Sequence, residues 1–450
     1  MGSAVKIIDE FLNKHRAVLD TRAIVIGRDA LASAHEVLAE HLPAGQWLVL
    51  VDENTERVAG AELMRHLEAA EMPYLRCEVP RHAGEEAATC DDERVAWFEG
   101  LLLEHGAAGA VAVGSGTIND IVKLACSRHD LLMGCVATAP SMNGFTSGIA
   151  AVLSDGVKTT QPCLAPAVVI ADLDVMAEAP ARMIQSGLGD LLSKPVSNSD
   201  WALSARLIGS HHSRDAMTII EAGSRALDGV AARLPERDRA AVSGLCESLM
   251  LSGLAMSVAG SSSPASGGEH LVSHFIDMTG HAYDLPCDFH GCQVGVGTLT
   301  TAHFYERFRA LDPASIDVDA LVAARKPWSE YRALLEERFG PLYAAVVKHA
   351  EPGYPDPETL RGRLQRIVDE WDELQAQIAS GLRTRASLEE ELRAAGCPVR
   401  FRDLGVDRDR ARQAITWSKD IRNRYTILHA AWELGLLEQW ADEALELLYE

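Results

Sequence analysis

The sequence predicts an α/β domain with a parallel sheet over residues 1–175, followed by an all-helical domain over residues 176–450. Three observations lead there. Short, continuously apolar runs alternate with helix-like stretches through roughly the first 170 residues, the pattern of a sheet covered by helices on both faces. One of those runs passes through Gly114-Ser115-Gly116 directly into a helical stretch. Beyond residue 180 the strand-like runs stop, and apolar residues recur at helical spacing. A chain of 450 residues also exceeds the size over which a single core keeps growing, so two domains are expected.

The strands follow in order. Residues 23–27 form a short apolar run closed by glycine, and residues 47–52 form a buried run ending in Asp52. Residues 108–114, 134–138 and 167–172 complete the set, with helical stretches at 55–70 and 91–105 between them. Residues 149–160, with Asp155-Gly156 at the centre, read as a β-hairpin. In the second half, Leu364, Ile367, Val368, Trp371, Leu374 and Ile378 fall on one helical face. Ile415, Ile421, Tyr425, Leu428 and Trp432 mark another helix near the end. The division between the domains falls near residues 172–180.

Composition narrows the function classes. A net charge of −23 argues against nucleic acid or an anionic membrane as partner, because both are bound through basic patches. Nine scattered cysteines, odd in number and without a CxxC pair, predict reduced thiols instead of a disulfide framework. The first residues lack the apolar segment of a secretory signal, and runs such as 108–113 fall far short of a membrane span. A soluble, cytoplasmic protein is expected.

Two loops carry chemistry in the first domain. In the strand-turn-helix of residues 111–123, glycines let backbone approach a phosphate, and a helix N-terminus offers unpaired N–H groups and a positive dipole end. It is neither GxGxxG nor a P-loop, and alone it reads equally as a plain turn. Asp52, at the end of a neighbouring strand, suits a ribose hydroxyl or a helix N-cap. The loop of residues 137–147 is rich in small hydroxyl residues and glycine, which suits contact with a cofactor.

The second domain opens its metal chemistry at Ser266-Gly267-Gly268-Glu269-His270. His270 and His274 stand four residues apart on an expected helix over 269–278, hence on one face. His290 follows on another helix or its leading loop. A carboxylate is needed to complete a ligand set, and Asp190, in a Gly-Asp pair expected to open a helix, is the candidate. Asp/His/His binds Zn²⁺, Fe²⁺ or Ni²⁺ with positions open for substrate oxygens. Asp190 also fits the bland role of a helix N-cap.

Taken in one order, residues 114–120, Thr138-Ala139-Pro140-Ser141-Met142, Gly189-Asp190, the 266–274 stretch and His290-Gly291 with 295–297 resemble the sn-glycerol-1-phosphate dehydrogenase family. That family lies within the iron-alcohol-dehydrogenase and dehydroquinate-synthase-like superfamily. The resemblance covers nearly the whole chain, and residues 419–426 look like the family's last helix. It implies a Rossmann-like domain, a helical domain and one divalent metal. Asp190, His270 and His290 would be metal ligands, and His274, with Asp190 and Asn143, would meet substrate. Gly114, Ser115, Gly116, Thr117, Asn119, Asp120, Thr138, Ser141 and Ser147 would hold NAD or NADP, with Asp52 on the adenosine side. Lys194, one turn after Asp190, is the candidate cation for the substrate phosphate, or else a solvated helix lysine.

The implied reaction interconverts dihydroxyacetone phosphate and sn-glycerol 1-phosphate. One departure stands out: where the family usually has Asp in contact with substrate, this chain has Asn143, which keeps the shape and loses the charge. That gives weight to a glycerol or polyol dehydrogenase of the same superfamily as an alternative. A dehydroquinate-synthase-like lyase, whose first ligand is usually Glu, and a non-catalytic metal- or nucleotide-binding protein are further alternatives. The metal, the choice between NAD and NADP, and the oligomeric state, homo-oligomers included, stay open.

Overall fold

Eight strands form in the first 172 residues: Ala23–Gly27 (β1), Trp47–Val51 (β2), Tyr74–Glu78 (β3), Gly109–Gly114 (β4), Met133–Ala137 (β5), Ile149–Ser154 (β6), Val157–Pro162 (β7) and Val168–Asp172 (β8). The computed structural model describes residues 3–82, 84–85, 87–154 and 157–450. Six strands make one sheet in the order β1-β8-β5-β4-β2-β3, with every pairing parallel. Strands β2, β4, β5 and β8 are buried along their whole length, which is why they read as unbroken apolar runs. Alternate residues Val49, Val51, Val111, Val113, Val136, Val168 and Ile170 share one core cluster with Leu38, Leu63 and Leu67 from the covering helices.

Parallel pairing places the C-terminal ends of β2, β4 and β5 side by side, with Leu50 opposite Ala112 and Gly114 opposite Ala137. The loops that begin at Asp52, Ser115 and Thr138 therefore leave one edge of the sheet, the edge where open α/β sheets bind ligands. β3 was not expected. It is an edge strand, half exposed, and its Tyr-Leu-Arg-Cys-Glu sequence lacks the apolar continuity of its buried neighbours. β6 and β7 pair antiparallel as the expected hairpin, while Asp155 and Gly156 lie outside the described residues.

The chain forms two compact units, one of residues 1–191 and 214–262, the other of residues 192–213 and 263–450. The second is helical throughout, the named strands all falling before residue 173. Arg239–Ala259 is a helix long and apolar enough to cross a membrane by length and composition, yet most of it is buried in the protein. Such a helix is hydrophobic all round because it lies in a core.

Three helical expectations need correction. The apolar stripe of residues 364–378 belongs to two helices, Pro357–Asp369 and Trp371–Ala379, with a break at Glu370. The run from 415 to 432 is also interrupted: Arg408–Trp417 ends in a short 3₁₀ turn, Ser418–Asp420, and Ile427–Glu433 begins after an irregular stretch. Residues 419–426, expected as the last helix, are therefore mostly not helical. Tertiary partners replace the helical hydrogen bonds there: Asp420 takes the Tyr331 hydroxyl at 2.8 Å, and Asp200 takes the Ile427 N–H at 2.6 Å. The last helix is Leu437–Leu448.

Candidate active site

The phosphate loop has the expected form. β4 ends at Gly114, Ser115 precedes the first helical turn, and the helix runs Gly116–Arg128. Ser115, Gly116 and Thr117 are partly exposed, while Asn119 is fully buried. Both polar atoms of the Asn119 side chain lack a hydrogen-bond partner among the described residues. Burying an amide unpaired costs about 1–3 kcal/mol, so this residue fits a bound group that would satisfy it. Asp52 caps the helical turn Glu53–Thr55: its Oδ1 accepts from the Thr55 N–H at 2.8 Å and the Thr55 hydroxyl caps it in return. One carboxylate oxygen thus has a structural task.

The remaining loop residues are held by a buried cation. The Lys123 ammonium, with no exposed surface, donates to the carbonyls of Gly144 (2.9 Å), Ser147 (3.3 Å) and Ile149 (2.5 Å). Asp120 pairs with Lys123 at 3.2 Å and accepts from the Ala151 N–H at 3.0 Å, so its carboxylate fastens the hairpin. The Ser147 hydroxyl donates to the Gly144 carbonyl, and Thr138 and Ser141 are buried close to the same sheet edge. Lys123 escaped the sequence reading because a lysine seven residues into a helix resembles any solvated one.

Asp190 is not a helix start. It is the penultimate residue of Ala181–Leu191, 1% exposed, and the glycines before it serve packing. A Cβ on Gly187 would lie 1.9 Å from the Pro140 carbonyl oxygen, and the Ser186 hydroxyl donates to the Ser141 carbonyl at 2.9 Å. The helix is thereby seated on the 138–147 loop. From that loop Asn143 meets Asp190 twice: its side-chain amide donates to Oδ1 at 3.0 Å and its backbone N–H to Oδ2 at 3.2 Å. The same amide reaches Ser252 Oγ at 3.3 Å. Asn143, expected to touch substrate, spends its donor on orienting a carboxylate. An aspartate there would place two carboxylates at the same separation.

In the second unit, His270 and His274 lie on Gly268–Tyr283, and His290 is the first residue of His290–Arg309. The rings cluster: His270 to His290 is 5.1 Å between centroids, His274 to His290 5.3 Å, and His270 to His274 6.1 Å. A Cβ on Gly297 would fall 2.5 Å from the Glu269 carbonyl oxygen, so glycine permits the two helices to approach this closely. His270 Nδ1 lies 2.8 Å from Glu269 Oε1, and His290 Nδ1 lies 3.0 Å from Ser273 Oγ with Asp277 Oδ2 at 4.0 Å. With Nδ1 so used, Nε2 is the nitrogen each ring can offer a cation, and such a partner behind the ring is the habit of metal-binding histidines. His274, Asp277 and His290 also have ligand atoms within 4.8 Å of one another. Asp277 Oδ1 already accepts from Gln293 at 2.6 Å, which favours an orienting role for it.

Behind Glu269 stands Asp200, which sequence reading missed. It accepts from the N–H of Gly268 (2.7 Å), the Tyr305 hydroxyl (2.7 Å) and the N–H of Ile427 (2.6 Å). Burial, reinforced by the Glu269 charge, pushes its carboxyl up to about 7. Ser273, Asp277 and Gln293 each sit three residues after a histidine of the cluster, a periodicity that was legible though unread. Lys194 is the first residue of Lys194–Ile208 and is not solvated: it is 3% exposed, and its ammonium donates to the Ala265 carbonyl at 3.0 Å.

Sheet order, strand-edge loops and the histidine cluster define an NAD(P)-linked dehydrogenase of the iron-alcohol-dehydrogenase type, and residues 25–180 match the model of the iron-containing alcohol dehydrogenase family. A probable glycerol dehydrogenase from Sinorhizobium meliloti has the same fold, with a TM-score of 0.61 at 16% identity over 94% of this chain and 98% of that one. Glycerol-1-phosphate dehydrogenase [NAD(P)+] of Bacillus velezensis is 30% identical over 91% of each chain. Its Bacillus subtilis counterpart is 30% identical over 90% of this chain and 89% of its own. The chain belongs to the glycerol-1-phosphate dehydrogenase family.

Proposed function

We propose that the protein interconverts dihydroxyacetone phosphate and sn-glycerol 1-phosphate by hydride transfer with NAD(P). The observation that carries this is the likeness to glycerol-1-phosphate dehydrogenases along nine-tenths of both chains. Residues 1–175 are assigned to the cofactor, and 176–450 to metal and substrate. The cofactor would be held by Gly114, Ser115, Gly116, Thr117 and Asn119 with Thr138, Ser141 and Ser147; the unsatisfied Asn119 amide supports this. Asp52 and Asp120 belong to the same edge through their structural bonds.

Asp190, His270 and His290 are proposed to hold one divalent cation, zinc, nickel or iron. The donor set fits, since Glu269 and Ser273 turn the two imidazoles and Asn143 turns the carboxylate. Bound there, the cation would act as a Lewis acid on the substrate's C2 oxygen, and the nicotinamide would supply hydride. His274 is assigned the proton at that oxygen: it gives it up as the ketone is reduced and takes it back in the reverse direction. We place the enzyme in the cytoplasm, where buried thiols such as Cys126, Cys135 and Cys246 stay reduced.

Metal-reconstituted protein is expected to oxidise NADH or NADPH with dihydroxyacetone phosphate far faster than with dihydroxyacetone. Equal rates with the two ketones would move the assignment to a polyol dehydrogenase. Asn143→Ala removes the side-chain donor to Asp190 and is expected to weaken metal binding or kcat/KM by about 10–100-fold. Metal titration and steady-state kinetics read it, and wild-type values for both would refute the orienting role.

A further inference from the structure

Away from the histidine cluster, the second unit contains a pocket with about 530 Å³ of empty space, walled by residues from 349–354, Arg363 and the 419–432 segment. Its lining is strongly basic. Arg363, Lys419, Arg422 and Arg424 face one carboxylate, Asp420, among the described residues. Arg363 is paired with Glu433 at 2.6 Å and Lys419 with Asp420 at 2.7 Å. With Glu433 counted, the wall still carries an excess of two positive charges. The neighbouring histidines register that field: burial and then nearby cations push His349 and His429 down, so both stay neutral at pH 7.

Concentrating guanidinium groups in a half-enclosed pocket is costly unless an anion shares it. Arginine is the side chain whose planar fork matches phosphate oxygens in two-point contacts. A phosphate monoester carries close to two negative charges at neutral pH, which matches the excess. The pocket is also tied to the histidine helix. Arg424 donates to the Ser266 carbonyl at 2.6 Å, four residues before His270, and Asp200 accepts from both Gly268 and Ile427. The 422–427 segment and the start of Gly268–Tyr283 are thus held by the same side chains.

We propose that this pocket is a phosphate-monoester site, with Arg422 and Arg424 as its binding residues. Only the source of the phosphate, the substrate itself or a separate anion, rests on the function proposed above. Calorimetric titration of the full-length, metal-loaded protein with inorganic phosphate tests the site without turnover. Arg422→Met is expected to raise the phosphate dissociation constant by about tenfold or more. Arg422→Lys, which keeps the charge and safeguards the fold, is expected to fall between Met and wild type. Equal phosphate affinity in wild type and both variants would overturn the proposal. Source is read in parallel: if phosphate competes with dihydroxyacetone phosphate, and Arg422→Met erodes the preference for it over dihydroxyacetone, the pocket holds the substrate's own phosphate. Loss of phosphate binding with that preference intact supports a separate anion in the same pocket. If wild type turns over neither ketone, the proposed reaction fails, and the phosphate titration still decides the pocket.

Discussion

His270→Ala is expected to abolish stoichiometric metal binding and to lower turnover by about 1,000-fold, the equivalent of about 4 kcal/mol of lost Lewis-acid stabilisation. The imidazole is 5% exposed and braced by Glu269, so its removal leaves a ligand position that no adjacent flexible side chain fills. His274→Ala is the contrasting experiment. His274 lies on the same helix face, and its ring is 5.3 Å from His290, so geometry alone makes it a rival ligand. As a proton-handling residue its loss is expected to spare metal content and reduce kcat by about 100-fold or more. Metal analysis of the two purified variants separates them. Should His270→Ala keep its metal and His274→Ala lose it, the ligand set is His274, Asp277 and His290 instead.

Lys123→Met is expected to cost about 3–5 kcal/mol of stability, because it breaks a buried pair and leaves Asp120 and three carbonyls without their partner. The side chain has no exposed surface, so water cannot replace the ammonium without opening the loop. Denaturant unfolding measures the loss, and limited proteolysis should find new cleavage between residues 143 and 149. Because that loop carries Asn143 to Asp190, activity should fall even under conditions where the variant remains folded. A variant as stable and protease-resistant as wild type would show that the three carbonyl contacts contribute nothing.

Elements were legible where burial is uniform. β2, β4, β5 and β8 announce themselves because both faces are covered, whereas β3, at the sheet edge, mixes Arg76 and Glu78 into its strand and was passed over. Helical periodicity found the right residues at 364–378 and 415–432 and mistook their continuity, since apolar spacing carries no record of a break at Glu370 or of a turn at Ser418–Asp420. Asp190 was picked out correctly as a candidate and placed at the wrong end of its helix. Its preceding glycines resemble a start signal, yet Gly187 is there to admit the Pro140 carbonyl.

By itself, the sequence determined the architecture, the phosphate loop and the three histidines, because each is written in local periodicity or in a short run of residue types. Tertiary structure alone decided what holds them. Asn143 turned from a substrate contact into a partner of Asp190, 47 residues away. Lys123 became the pin of a loop, and Asp200 the brace that joins Gly268 to Ile427. Arg363 and the 419–424 segment became one basic pocket. A buried charge is satisfied by whatever groups folding brings within about 3 Å, and that neighbourhood is set by the packing of distant segments rather than by spacing along the chain.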